Sequence, residues 1–171
     1  MTILLLIAGN SKWNLNKALL INIYNKLISN TRDTKDLVNL VVPLRLACLT
    51  TSGWPMIVPL WFKFLNDRFY CATQENAKII SYLKKDNKCA FEISSQNPPY
   101  RGIRGQGKTI IKKELGIEIL QTVIEKYLQN KNTDLTTYLI KRKEKEVAIE
   151  IIPIKIFYWD YTNRMKNIIK I

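Results

Sequence analysis

Between Leu44 and Lys112 the chain alternates short strand-like runs with turn residues, and this pattern constrains the fold more than any other feature. Leu44–Thr51, Pro55–Leu65 and Arg68–Thr73 are rich in aliphatic, aromatic and β-branched residues. Thr51-Ser52-Gly53 and Asn66-Asp67 separate them and supply hairpin chemistry. Such short links allow antiparallel neighbours only, so these three strands form a meander. Glu75–Lys85 follows as a helix, with Ala77, Ile80 and Leu83 on one face. Lys88–Ser94 is a fourth strand, Gln96-Asn97-Pro98-Pro99 a loop, and Arg101–Lys112 extended again. Leu115, Ile119, Leu120, Val123, Ile124, Tyr127 and Leu128 mark another amphipathic helix, and Lys131–Asp134 is a polar break. Lys141–Glu146 reads as a solvated helix end or turn. Val147–Ile152 and Ile154–Asp160 are final strands, with Pro153 at a bulge or sheet edge. Many short strands with few helices argue against a doubly wound parallel sheet. They predict a mainly β protein with flanking helices, its antiparallel sheet closed or nearly closed into a barrel, which removes exposed edges.

Ahead of the strands, Leu15, Leu19, Leu20, Ile23, Tyr24, Leu27 and Ile28 recur at helical spacing, with Asn14 as a cap. A second short helix is expected from Asp33 to about Val41, stopped by Pro43. The expected organisation is a helical extension over 1–42, a barrel over 43–165 and a tail over 166–171. Ile3–Ala8 is an apolar run of six residues, too short for a signal-peptide core or a membrane span, so a cytoplasmic protein is expected.

Composition excludes several chemistries. The 171 residues contain no histidine, which removes Ser-His-Asp and Cys-His catalysis and the usual His-bearing zinc sites. Cys48, Cys71 and Cys89 form no C-x-x-C pair and sit in apolar strand-like runs, so they are expected in the core, with no metal site. The 27 Lys and Arg against 14 Asp and Glu give a net charge of +13, which favours anionic ligands. The charge is scattered and no recognised nucleic-acid module is present, so a nucleic-acid-binding barrel is a minor alternative.

Gly102-Ile-Arg-Gly-Gln-Gly-Lys-Thr109 matches G-x-x-x-x-G-K-[ST], the phosphate loop of nucleotide hydrolases. That loop must follow a buried strand and open a helix. Here a Pro-Pro loop precedes it and the β-branched Thr109-Ile110-Ile111 follows. These glycines are better read as strand positions that permit a bulge or a close approach.

Three pieces of the same region resemble the pyridoxamine 5'-phosphate oxidase-like family of FMN-binding split β-barrels. They are Arg45–Phe62 with its Gly53-Trp54-Pro55 turn, Phe69–Thr73 leading to Asn76-Ala77-Lys78, and Pro98–Gly107. Ile152–Asp160 with Arg164 resembles the family's closing strand. The resemblance implies an antiparallel split barrel and a homodimer with FMN held at a cleft between subunits. Some relatives hold a deazaflavin or heme instead. It further implies that the strand carrying Val58, Pro59, Leu60 and Trp61 meets the flavin ring. Ala72, Thr73 and Lys78 would lie near the phosphate, Arg101 would bind a phosphate or an acidic substrate, and Trp159 would stack from the partner subunit.

The residue chemistry is compatible with that set. Flavin mononucleotide needs cations and a hydroxyl at its phosphate end and strand backbone along its ring. Lys78 and the Thr73 hydroxyl flank a helix start, whose N–H groups favour an anion. The expected activity is a flavin-dependent oxidoreductase acting on a small molecule, with a flavin, deazaflavin or heme carrier as the alternative. Pyridoxamine phosphate oxidation itself is not expected, because those enzymes carry a longer C-terminal segment with substrate-binding histidine.

Overall fold

The computed structural model describes residues 36–129, 131 and 133–166, with the Thr133 side chain excepted. Among these residues seven strands run β1 Leu44–Leu49, β2 Pro55–Leu60, β3 Phe62–Leu65, β4 Arg68–Gln74, β5 Lys88–Ser94, β6 Arg101–Lys112 and β7 Glu146–Asp160. The helices are α1 Lys78–Lys85, α2 Gly116–Leu128, α3 Thr133–Lys141 and a short α4 Thr162–Met165, with a 3-10 turn at Lys143–Lys145.

All seven strands form one antiparallel sheet in the order β2-β1-β5-β6-β7-β4-β3. Its two edges, β2 and β3, are consecutive in the chain and separated only by Trp61. The chain itself therefore draws the edges together, and the sheet curls into a split half-barrel. The mainly β, split-barrel expectation agrees with this architecture. Inside, Leu44, Leu46, Phe62, Phe69, Phe91, Ile93, Ile103, Ile149 and Ile151 are buried at alternate strand positions. Ile79, Ile80 and Leu83 of α1 join the same core. α2 packs on the outside of the curl, where Ile119 and Val123 meet Ala148 beside Trp61, Tyr70 and Ala72. Buried Glu150 is matched by Arg68, the Tyr70 hydroxyl and, more distantly, Lys112.

Local chemistry explains most of the boundaries. Asn66 and Asp67 both take positive φ, 51° and 59°, as a two-residue hairpin between β3 and β4 requires. The predicted helix over Glu75–Lys85 begins only at Lys78, because Gln74 to Ala77 closes a turn first. The three-strand meander expected with a single strand over Pro55–Leu65 is instead two hairpins at opposite sheet edges, because the chain changes edge at Trp61. The two strands expected around Pro153 are one, β7, with a bulge where Gln106 pairs Lys155 and Gly107 pairs Pro153. α3 fills the stretch between the expected polar break and charged run, where the sequence reading assigned no element. The helix expected over 15–28 lies outside the described residues, and so does most of the 1–42 extension. Residues 36–38 make one helical turn.

Gly102–Thr109 lies within β6, so the nucleotide-loop match has no loop beneath it. A Cβ at Gly102 would stand 2.7 Å from the Trp159 ring, and one at Gly107 would stand 2.7 Å from the Ile152 carbonyl. Close approach across the sheet, not phosphate binding, accounts for glycine at these positions. The three cysteines are free and buried, as expected. Their thiols are pushed up by burial, Cys89 to about 12. Among the described residues, no helix is long and apolar enough to cross a membrane, and no cluster of three His, Cys, Asp or Glu residues is placed to hold a metal.

Candidate functional site

A cavity of about 420 Å3 opens where the edge change at Trp61 meets the outer helices. Pro59, Leu60 and Trp61 form one wall, and Ala72, Thr73 and Gln74 of β4 form the floor. Leu120 and Val123 of α2 and Leu135, Tyr138 and Leu139 of α3 close it from outside. Arg142 and Glu146 complete its polar end. The volume lies within the range of small-molecule sites, about 300–1,000 Å3, and a mostly apolar lining with a few convergent polar groups is their usual character.

Trp61 is held in place by its neighbours. Its ring stacks on Tyr127 with centroids 5.0 Å apart and planes 10° from parallel. The Tyr127 hydroxyl donates to the Val42 carbonyl at 2.7 Å and accepts from the Phe62 N–H at 3.3 Å. Burial pushes the Tyr127 phenol up to about 12, so it keeps its proton and its donor role at neutral pH. Lys126 donates to the carbonyls of Val38, 3.2 Å, and Phe62, 3.3 Å, and its ammonium lies 3.9 Å from the Phe62 ring centroid. Burial lowers the Lys126 pKa to about 8. These bonds fix the β2–β3 junction and tie residues 38 and 42 to it.

The polar end is built from β4, β7 and the segment after α3. The Gln74 amide donates to the Glu146 carboxylate and to the Arg142 carbonyl, the latter at 3.3 Å. Glu146 is only 8 % exposed. Burial raises its pKa, while the Gln74 hydrogen bond and the Arg142 charge pull the other way. The Arg142 guanidinium contacts the Tyr138 hydroxyl and lies 5.3 Å from that ring.

Of the sequence-predicted residues, Pro59, Leu60, Trp61, Ala72 and Thr73 line this one cavity. Val58 is half-buried and packs on the core instead. Lys78 is exposed at the first position of α1, beyond the cavity lining. That helix start has no side-chain cap and no acidic residue in its first turn, and its Ile80 N–H already donates to the Ala77 carbonyl at 2.9 Å. Arg101 and Trp159 lie elsewhere. They pair with Asp160 and Gly102 at the far ends of β6 and β7. Glu146 and Trp159 are separated by roughly 40 Å of strand at about 3.3 Å per residue. Within one protomer these two side chains do not join the cavity.

Sequence reasoning missed Gln74, Tyr138, Arg142 and Glu146. The readable signal was the four-residue spacing of Tyr138 and Arg142, which places them on one helical face.

No protein-family profile matches the chain, and no curated protein matches it. Solved structures do match. A conserved hypothetical protein, Rv2991, from Mycobacterium tuberculosis aligns with a TM-score of 0.66 and 18% identity over 81% of this chain and 88% of its own. An F420 reductase aligns at 0.60 and 16% identity, over 72% and 94% respectively. A putative pyridoxamine 5'-phosphate oxidase from Listeria innocua aligns at 0.52 and 13% identity, over 68% and 86%. The chain therefore has the antiparallel split-barrel fold of the pyridoxamine 5'-phosphate oxidase-like proteins.

Proposed function

We propose that the protein binds FMN in the Trp61 cavity and acts as a flavin-dependent oxidoreductase on a small molecule in the cytoplasm. The carrying observation is the convergence of Pro59, Leu60, Trp61, Ala72 and Thr73 on one cavity, whose Gln74 edge leads through a single turn to the uncapped start of α1. The cavity suits the cofactor, with a flat apolar wall for the ring and polar groups next to it, and beyond its lining the helix start with Lys78 is left for the phosphate. FMN would supply the hydride or electron transfer. The chain's own residues bind and orient it. Leu60, Trp61 and Ala72 exclude water from the ring, and Thr73 donates its hydroxyl. Lys78 and the α1 N–H groups neutralise the phosphate.

A homodimer is part of this reading. The outer face of the sheet exposes Ile57, Leu49 and Phe157 at 65%, 51% and 40%. Register places Ile57 beside Ala47, then Ala90, then Gln106, across four strands. A second copy on this face would cover those side chains and carry its Arg101 and Trp159 to the first copy's cavity, which one protomer cannot do.

The test is the absorbance spectrum of freshly purified protein, followed by titration of ligand-free protein with FMN. The two visible bands of oxidised flavin, or saturable FMN binding with one site per chain, are expected. A heme or deazaflavin spectrum would redirect the assignment. A bound flavin that no nicotinamide cofactor reduces, with or without candidate substrates, would favour a carrier over an enzyme.

A further inference from the structure

The polar end of the cavity is not built for a phosphate. Glu146 is more than nine-tenths buried, and one of its oxygens already accepts from the Gln74 amide. Among the described residues, the second Glu146 oxygen and Gln74 Oε1 have no hydrogen-bond partner, while both side chains line the cavity. Buried acceptors left unmatched cost free energy, so the site suits a group that donates. A phosphate brings mainly acceptors and negative charge, and an ionised Glu146 would repel it. A run of hydroxyls brings the donors needed.

Position agrees with chemistry. Extending the β3–β4 register past Phe62 and Cys71 sets Trp61 beside Ala72. Continuing along β4, Thr73 and Gln74 come next, and Glu146 pairs with Gln74 across the sheet. After the turn to Ala77, Lys78 opens α1. The acceptor pair therefore lies between the aromatic wall and the cationic helix start. In a flavin mononucleotide the ribityl chain lies between ring and phosphate in the same way.

We propose that Gln74 and Glu146 form a polyol subsite that accepts hydrogen bonds from the ribityl hydroxyls of the flavin. Arg142, bonded to Gln74 through its carbonyl and held near Glu146, positions this pair. The subsite rests on the flavin reading above and adds a specificity to it. The protein distinguishes flavins by their sugar-alcohol chain, separately from their phosphate.

Three probes separate the two contributions: FMN, riboflavin, which lacks the phosphate, and lumiflavin, which carries a methyl group in place of the ribityl chain. Affinities come from quenching of flavin fluorescence with the full chain. The wild type is expected to bind riboflavin at least tenfold tighter than lumiflavin. E146L should reduce that ratio to near one and leave the ratio of FMN to riboflavin unchanged. E146Q, which keeps an acceptor oxygen, should retain most of the preference. K78A should do the reverse of E146L, weakening FMN alone. Q74L supplies the same test if E146L fails to fold by circular dichroism. A full riboflavin preference in E146L or Q74L overturns the subsite while leaving the flavin reading intact. Failure of all three flavins to bind the wild type overturns both.

Discussion

Two cavities among the described residues are nearly equal in size and different in character. The Trp61 cavity, about 420 Å3, gathers a stacked aromatic, a hydroxyl, an amide, a guanidinium and a buried carboxylate. The other, about 430 Å3, lies on the sheet's outer face. It is lined by Ala47, Leu49, Pro55, Ala90 and Ile154, with Lys88 and Gln106 among its few polar groups. Volume does not distinguish them. Convergent polar groups on a rigid wall suit the first to the proposed ligand, while small apolar side chains in register across four strands suit the second to the proposed second copy.

The largest effect comes from filling each cavity in turn. Ala72→Trp should abolish FMN binding, by more than a hundredfold in a fluorescence titration, at an overpacking cost of about 1–3 kcal/mol. Ala90→Trp should disturb self-association, read by light scattering, and weaken FMN only by the roughly tenfold share that the second copy contributes. Binding lost equally in both variants would erase the distinction. Next in size, Phe157→Asp should convert a dimer to monomers and weaken FMN at least tenfold, if Arg101 and Trp159 of the second copy complete the site. A monomeric wild type would remove that part of the account. Lys78→Ala follows, with FMN weakened by roughly tenfold, which is about 1.4 kcal/mol. Riboflavin binding should stay unchanged.

The smallest effect concerns Glu146 itself. Its folded-state pKa is raised, chiefly by burial. The folded state then holds this proton more tightly than the unfolded chain does. Stability from this group is fully present below the unfolded value and lost as pH rises through the folded one. Urea midpoints of the wild type should therefore fall relative to Glu146→Gln as pH rises from about 4.5. Parallel curves for the two proteins would show that Glu146 is not desolvated.

Much of the barrel was legible because its signals are local. The strands at Lys88–Ser94 and Arg101–Lys112 coincide with their sequence-predicted bounds, since alternation and the flanking turns mark both ends. The edge change at Trp61 was not legible. Apolar residues continue through it, and only the curl of the whole sheet separates β2 from β3. The site was legible in the same uneven way. Residues on β2 and β4 could be placed because they lie within recognisable strands. Arg142 and Glu146 sit in a charged run that looks solvated in sequence, and Glu146 is buried where α2 packs over β4 and β7. Arg101 and Trp159 show the converse. Their local pattern was clear, yet β6 and β7 carry them to the far end of the sheet.

A crystal structure of the protein soaked with FMN tests the central claim most directly. The account predicts the ring against Leu60, Trp61 and Ala72, the ribityl chain beside Gln74 and Glu146, and the phosphate at Lys78. Flavin density in the outer-face cavity, with the Trp61 cavity holding only solvent, would contradict it.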